Sequence, residues 1–199
     1  MIQPTDALKM ATAYHEAGHV VMAKSFGVCA LRATVNAEPN EASGKIILEG
    51  HAQFEPKELC PAWTKESPPF VDDLRGYLEM RALITLAGLV SHRLLDPKHQ
   101  DDAGDQYDRK QAREHLCRFA LSENHLNAWI SALEVEASER LRRELHLLNA
   151  VVRAFVEHET LDRERLCEAM KAACPPTKEK DRLRSIPQRR IRRDRRKRA

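Results

Sequence analysis

The sequence predicts a mainly α-helical domain, with a small β-hairpin after its first helix and a disordered basic arm at its C-terminus. Apolar residues recur at spacings of three and four over most of the chain, which is typical of amphipathic helices. The stretch 31–54 has a different character, with short β-like runs and turn residues. After Pro175 and Pro176 the chain is rich in arginine and cannot form a core. We therefore expect a folded domain over 1–174 and an arm over 175–199.

The first helix is predicted from about Asp6, with Thr5 or Asp6 as its N-cap, to Phe26, and it should end near Gly27. Its apolar stripe includes two histidines, so these histidines are expected to face the core. A glycine inside this helix is unfavourable by roughly 1 kcal/mol relative to alanine, which indicates a close approach by another segment or by a substrate. The stripe consists of Ala11, His15, Gly18, His19, Met22 and Phe26.

A small hairpin or irregular sheet is predicted next, from the β-like runs at 34–35 and 45–48. The turn residues between these runs, around Pro39 and Gly44, favour a change of chain direction. Three prolines between 60 and 70 predict a loop there.

Four further helices are predicted from the apolar spacing and from the breaks between the segments. The helix 71–96 stops before Pro97 and is apolar on nearly all sides over 82–90, so we expect it to be the buried helix on which the first one packs. The remaining helices are expected over 105–121, 126–156 and 162–173, with a polar acidic loop over 97–104 and a break at 122–124.

The first helix contains the sequence HEAGH at 15–19, an instance of H-E-x-x-H. Histidines four residues apart project from the same face of a helix, so His15 and His19 can share one metal ion. A hydrolytic zinc site needs three protein ligands, an open position for water and a base that is not a ligand. Glu16 is rotated away from His15 around the helix and is placed for that role. The competing interpretation is that both histidines are packed core residues.

The third ligand must come from another part of the chain. The extended pattern H-E-x-x-H-x-x-G-x-x-H is excluded because Met22 and Ser25 occupy its glycine and last histidine positions. Residue spacing alone does not decide which of several carboxylates is the third ligand. Acidic clusters on loops are usually solvated and bind no metal. These candidates are Glu79, Asp101, Asp102, Asp105 and Asp108.

The composition predicts a soluble, cytoplasmic protein. No apolar run approaches eighteen residues, and the longest, 82–90, is too short to span a membrane. The N-terminus lacks the basic and then apolar segments of a signal peptide. The five cysteines are scattered and form no C-x-x-C, which argues against a disulfide framework or a cysteine zinc cluster.

The net charge of +3 conceals a strong asymmetry. Residues 178–199 contain twelve Lys or Arg and three Asp or Glu, a charge of +9, which leaves about −6 on the rest of the chain. Such an arm could bind nucleic acid, an anionic membrane surface or an acidic protein, or it could simply aid solubility. No aromatic residue interrupts its arginines, so contacts with nucleic acid would be mainly to phosphates.

Four collinear stretches carry a family resemblance. They read YHEAGHVVMA at 14–23, ITLAGLVSH at 84–92, GDQYDRKQA at 104–112, and LN, FVEHETL and RERL within 148–166. Together they resemble the peptidase domain of the FtsH family of ATP-dependent zinc proteases, over about residues 8–172. The corresponding family segments after the HEAGH sequence read I-x-x-x-L-A-G-R-A-A-E, G-A-x-N-D-I-x-x-A-T, and L-L-x-x-N followed by L-L-E-x-E-T-L.

The resemblance implies a zinc-dependent metalloendopeptidase. It implies His15 and His19 as zinc ligands, Glu16 as the general base and Asp108 as the third ligand. Asp108 is preferred to Asp105 because it aligns without a gap with the zinc-binding aspartate of the corresponding family segment. The implied mechanism is peptide hydrolysis by a metal-activated water.

Some residues depart from the family pattern. His92 stands where the family usually has glutamate, and Arg113 stands where it has threonine. Tyr14 and His92 are candidates for stabilising an oxyanion, but simple packing is the favoured interpretation of both.

The sequence also has no G-x-x-x-x-G-K-[ST] and therefore no ATPase motor, so the implied substrates are flexible or already unfolded polypeptides. The resembled family works as hexamers, and association of this chain into an oligomer stays open.

Two other functions are compatible with the sequence. One is a catalytically degenerate metal-binding or regulatory module, and the other is a nucleic-acid-associated protein that acts through its basic arm.

Overall fold

The computed structural model of the protein describes residues 4–40, 45–54, 71–97 and 103–174. These residues are mainly helical and include a small antiparallel sheet of three strands, which confirms the predicted fold class at that level. In the same ranges no helix combines the length and the hydrophobicity of a bilayer-spanning segment. The predicted loop over 60–70, the carboxylates Asp101 and Asp102, and the basic arm over 175–199 lie outside the described residues.

Helix α1 (Pro4–Ser25) carries the HEAGH sequence. It begins two residues before the predicted start, and proline suits a first helical position because no N–H donor is needed there. The helix ends near Gly27 as predicted, and the φ of 75° at this residue is a conformation that favours glycine. The N–H groups of Gly27 and Val28 donate to the carbonyl oxygens of Lys24 and Ala23, which closes the helix end.

Helix α2 (Val71–Leu95) is the buried central helix, as predicted. All residues from 82 to 90 are buried except Thr85, which is partly exposed. Helix α1 packs closely on α2 at Gly18, where a side-chain carbon would overlap the carbonyl oxygen of Ala87 and the side chain of Ser91. The glycine in α1 therefore serves a close approach between two helices.

The sheet consists of β1 (Ala30–Asn40), β2 (Lys45–Phe54) and β3 (Thr160–Asp162), in the order β2-β1-β3 with antiparallel pairing. Strands β1 and β2 form the predicted hairpin and are longer than the short runs that indicated them. Strand β3 was not predicted, because three residues are too few to show an alternating pattern. Among the described residues β2 pairs on one side only, so it is an edge strand of this sheet.

Helix α3 (Ala103–Leu116) continues into a 3-10 turn (Cys117–Phe119), in agreement with the prediction of a helix over 105–121. It packs on α2 with one face, whose buried residues are spaced by three and four. This face is unusual because half of its buried residues are carboxylates. The buried residues are Asp105, Asp108, Ala112 and Leu116.

The prediction of one long helix over 126–156 is wrong. The chain forms α4 (Glu123–Arg143) and α5 (Leu145–His158), and the helix is interrupted at Glu144. Helix α4 lies mainly against α2 and α5 lies mainly against α1, so the break lets the two halves cover different neighbours. No glycine or proline marks this position in the sequence, which explains why it was missed. The final helix, α6 (Arg163–Ala173), was predicted, and Asp162 is its N-cap.

Candidate metal centre

A cleft of about 700 Å³ lies between the edge strand β2 on one side and helices α2 and α3 on the other. The inner residues of this cleft come from α1 and α3, and its walls carry both polar and aromatic side chains. Four charged or titratable side chains meet at its inner end, and all four are buried. They are His15, Glu16, His19 and Asp108.

The two histidines and Asp108 converge on one point. Oδ2 of Asp108 lies 3.1 Å from Nε2 of His15 and 3.3 Å from Nε2 of His19. The imidazole rings stand nearly perpendicular to each other, with centroids 4.8 Å apart. This follows from the sequence, because histidines at positions i and i+4 lie one helical turn apart on the same face of α1.

The orientation of His19 is fixed by a backbone contact with α2. Its Nδ1 atom lies 2.8 Å from the carbonyl oxygen of Ile84. A carbonyl oxygen only accepts hydrogen bonds, so Nδ1 carries the proton and donates it. In the neutral ring this leaves the lone pair on Nε2, which is the nitrogen that faces Asp108.

A glycine in α2 makes room for the imidazole pair. A Cβ atom at Gly88 would lie 2.6 Å from Nε2 of His15 and 2.6 Å from Nε2 of His19. Any residue larger than glycine would therefore push the two ring nitrogens away from their present positions. This explains why the otherwise apolar centre of α2 contains a residue that weakens a helix.

The donor set fits a tetrahedral zinc ion. Zinc held at about 2.0 to 2.1 Å by four tetrahedral ligands separates neighbouring ligand atoms by about 3.3 Å. The distances of 3.1 and 3.3 Å from Asp108 Oδ2 to the two imidazole nitrogens agree with this spacing. Oδ2 is also buried and has no hydrogen-bond partner in the described part of the chain, although a buried carboxylate oxygen normally has one. Two imidazoles and a carboxylate are a common zinc ligand set.

Glu16 is a second carboxylate near the same point. A carboxylate oxygen of Glu16 lies within 4.8 Å of ligand nitrogens of His15 and His19, so distance alone also allows it as a ligand. Oδ2 of Asp108 differs from it in having the spacing of a tetrahedral edge to both histidines. The carboxylate of Glu16 lies beside the same point, and its buried Oε2 has no hydrogen-bond partner among the described residues.

The ionisation of the cluster in the metal-free protein follows from burial and proximity. Burial opposes a charge on His15, but the carboxylates of Asp105 and Asp108 outweigh it and raise the pKa of His15 to about 10. Burial also opposes a charge on His19, and Asp108 again raises the pKa of that imidazole. The pKa of Asp108 is lowered, because His19 and His15 outweigh the effect of burial. Burial raises the pKa of Glu16, which makes this carboxylate a stronger base than an exposed one.

The other predicted candidates lie elsewhere. Glu79 is on the outer part of α2, where it pairs with Arg75 at 3.4 Å, and it does not border the cleft. Asp105 is fully buried behind His15 and also does not border the cleft.

The Tyr14 hydroxyl donates to Oδ1 of Asn149, away from the cleft, and His92 is buried beside Asp105. Packing therefore accounts for Tyr14, and neither it nor His92 borders the cleft.

Sequence reasoning did not identify two glycines that shape the site. Gly88 accommodates the imidazole pair, and Gly50 in β2 lies directly against the carboxylate of Glu16. The signal for Gly88 was a glycine inside an apolar helix. Gly50 had no comparable signal, because it lies outside the β-like run that was recognised.

No protein-family model matches this chain, and a search of curated proteins gives no significant match. The resemblance to the FtsH peptidase domain therefore rests on the four motifs and stays a prediction.

Proposed function

We propose that the protein is a zinc-dependent metalloendopeptidase, in which His15, His19 and Asp108 hold the ion and Glu16 is the general base. The observation that carries the proposal is the position of Asp108 Oδ2, which lies 3.1 and 3.3 Å from the two imidazole nitrogens. This oxygen is buried and has no hydrogen bond to any described residue. A purely structural zinc site is usually closed by four protein ligands. Here three ligands face an open cleft, which supports a catalytic role.

The chemistry divides between the ion and the protein. When bound, zinc supplies a Lewis acid that lowers the pKa of a water molecule and polarises the carbonyl group of the peptide bond. Glu16 accepts the proton of the attacking water and transfers it to the leaving amine. Burial raises the pKa of Glu16, so its protonated form is accessible for the second transfer. Gly50 allows the Glu16 carboxylate to lie between β2 and the metal ligands.

The edge strand supports a polypeptide substrate. Residues 50–54 of β2 line the cleft. On the side where no described strand pairs with it, β2 presents backbone groups to which an extended peptide can pair. Such pairing would lay a peptide bond across the inner end of the cleft, where Glu16 is located. Only a segment that can become extended fits this arrangement, so we propose flexible or unfolded polypeptides as the substrates.

The decisive experiment compares the native protein with the Glu16→Gln variant. Zinc content is measured after equilibration with the ion, and cleavage is followed with casein and with an unstructured peptide. We expect both proteins to bind one zinc ion per chain, and only the native protein to cleave. The loss in the variant should be about 100-fold to 10,000-fold.

Three results would contradict the proposal. If both proteins bind zinc and neither cleaves a substrate, the chain is a metal-binding or regulatory module. If the native protein binds no zinc, the histidines are packed core residues. Equal cleavage by both proteins would remove Glu16 from the mechanism.

A further inference from the structure

A buried pair of side chains lies directly behind His15. Asp105 is 0% exposed and His92 is 4% exposed, and neither borders the cleft. They cannot contact a substrate. A carboxylate that is fully removed from water is costly unless it is paired and hydrogen-bonded, so its position requires partners inside the protein.

His92 connects this carboxylate to the helix that carries the metal ligands. Its Nε2 atom lies 2.8 Å from the carbonyl oxygen of Ala11, and its Nδ1 atom lies 3.0 Å from Oδ1 of Asp105. The carbonyl oxygen only accepts, so Nε2 carries a proton and donates it. Ala11 is one helical turn before His15, and His92 therefore ties α2 to α1 next to the ligand.

The same oxygen of Asp105 also faces His15. Oδ1 lies 3.3 Å from Nδ1 of His15, a buried nitrogen that has no aligned hydrogen bond. Asp105 and Asp108 are three residues apart on α3, so one face of this helix brackets the His15 ring with two carboxylates. One lies at Nε2 and the other lies at Nδ1.

We propose that Asp105 and His92 are positioning residues for the metal site, an inference that rests on the proposed function. Oδ1 of Asp105 shares one hydrogen bond with Nδ1 of His92, and it accepts a second from Nδ1 of His15 when the His15 ring turns to align it. Asp105 thereby fixes His15 as the tautomer with a proton on Nδ1 and a lone pair on Nε2. A metal-binding histidine is commonly oriented by a carboxylate at its other nitrogen.

Hydrogen-bond accounting gives the role of His92. Its two nitrogens face a carbonyl oxygen and a carboxylate oxygen, so one proton must lie between His92 and Asp105 in addition to the proton on Nε2. Whichever of the two residues holds that proton, the pair has no net charge. The carboxylate can therefore be buried as an acceptor for His15 without adding negative charge beside the ion.

The test uses the whole chain and three variants. Asp105→Ala removes the acceptor. The double variant with His92→Glu and Asp105→Ala places a carboxylate on α2 instead, where the ring of residue 92 is 4.8 Å from the His15 ring, measured between centroids. Lys110→Ala, an exposed position on α3, is the matched control. Zinc affinity is measured by competition with a chromogenic chelator, and circular dichroism of the metal-free proteins checks folding.

We expect zinc to bind about 10-fold to 100-fold more weakly to the Asp105→Ala variant, with recovery in the double variant and no change for Lys110→Ala. The tautomer of His15 is read independently in the native zinc-loaded protein, by NMR of ¹⁵N-labelled histidine. The expected form has a proton on Nδ1 and the metal on Nε2. This measurement applies even if a variant fails to fold.

Several outcomes would overturn the inference. If native zinc affinity persists in the Asp105→Ala variant, or if the native protein binds the metal through Nδ1 of His15, the positioning role fails while the proposed peptidase stands. Two zinc ions per chain, one of them lost in the Asp105→Ala variant, would make Asp105 and His92 ligands instead. A native protein that binds no zinc would overturn the inference and the proposed function together.

Discussion

Gly88 of α2 faces His15 of α1 so closely that a Cβ atom on Gly88 would lie 2.6 Å from Nε2 of His15. The same added atom would lie 2.6 Å from Nε2 of His19. The space for the imidazole pair is thus set by the absence of a side chain on the neighbouring helix.

The Gly88→Ala variant is expected to lose most of its zinc affinity. Its methyl group would displace both imidazoles, while alanine itself favours the helix. Gly76→Ala is the matched control, because it lies on the same helix with nothing within 4 Å of an added Cβ. We expect the control to bind zinc normally and to be up to about 1 kcal/mol more stable. Zinc titration and chemical denaturation measure both effects, and normal zinc affinity in Gly88→Ala would contradict this account.

The Gly50→Ala variant should separate metal binding from catalysis. Its methyl group would overlap the Glu16 side chain, to which the three nearest atoms of an added Cβ all belong. We expect zinc affinity to stay within a few-fold of the native value and peptide cleavage to fall by at least about 10-fold. Zinc titration and cleavage of an unstructured peptide test this. Undiminished cleavage would show that the position of Glu16 is not limiting.

The Asp108→Asn variant should bind zinc at least about 100-fold more weakly, because a neutral amide is a poor substitute for a carboxylate ligand. Glu79→Gln is the control, since Glu79 is another carboxylate that the sequence left open as the third ligand but it pairs with Arg75 outside the cleft. Chelator competition gives both affinities. If Glu79→Gln is the variant that loses zinc, the assignment of the third ligand is wrong.

Zinc binding is expected to strengthen as pH rises. In the metal-free protein burial opposes a charge on His15, but Asp105 and Asp108 prevail and raise its pKa to about 10. Zinc requires the unprotonated Nε2, so near neutral pH its binding displaces a proton from the histidine cluster. The pKa of His15 is higher in the folded protein than the value of 6.5 in the unfolded chain, so the protonated imidazole stabilises the metal-free fold. This contribution is complete below pH 6.5. This contribution is lost as pH rises toward 10.

The stabilisation caused by zinc should therefore grow between about pH 6 and about pH 9. Thermal melts with and without zinc measure it, and calorimetry in buffers of different ionisation enthalpy measures the released protons. A zinc effect that is independent of pH, with no proton release, would contradict the assignment of His15 as a ligand.

The Tyr14→Phe variant should affect stability and not catalysis. The hydroxyl donates a hydrogen bond of 3.0 Å to Asn149 and does not border the cleft. We expect a loss of about 1 kcal/mol in the free energy of unfolding and an unchanged kcat. Denaturant melts and cleavage assays distinguish these quantities. A lower kcat at native stability would instead support Tyr14 as an oxyanion-stabilising group.

The sequence predicted the parts of the site that lie within one element. His15, Glu16 and His19 belong to one helix, and the period of a helix alone places both imidazoles on one face. The burial of α2 also followed from its apolar centre at 82–90. Local sequence patterns did not predict the helix break at Glu144 or the short strand β3, because neither has a recognisable signal in the sequence.

The sequence by itself determined a helical domain with a pair of histidines and an adjacent glutamate directed toward its interior. It left Glu79, Asp101, Asp102, Asp105 and Asp108 open as the third ligand, and only the motif resemblance favoured Asp108. Glu79, Asp105 and Asp108 are the three candidates within the described residues. Tertiary structure separated them, because the packing of α3 on α2 brings Asp108 to one nitrogen of His15 and Asp105 to the other, while Glu79 lies outside. Distances between side chains on different helices depend on how those helices pack. The periodicity of the sequence within one helix does not specify these distances.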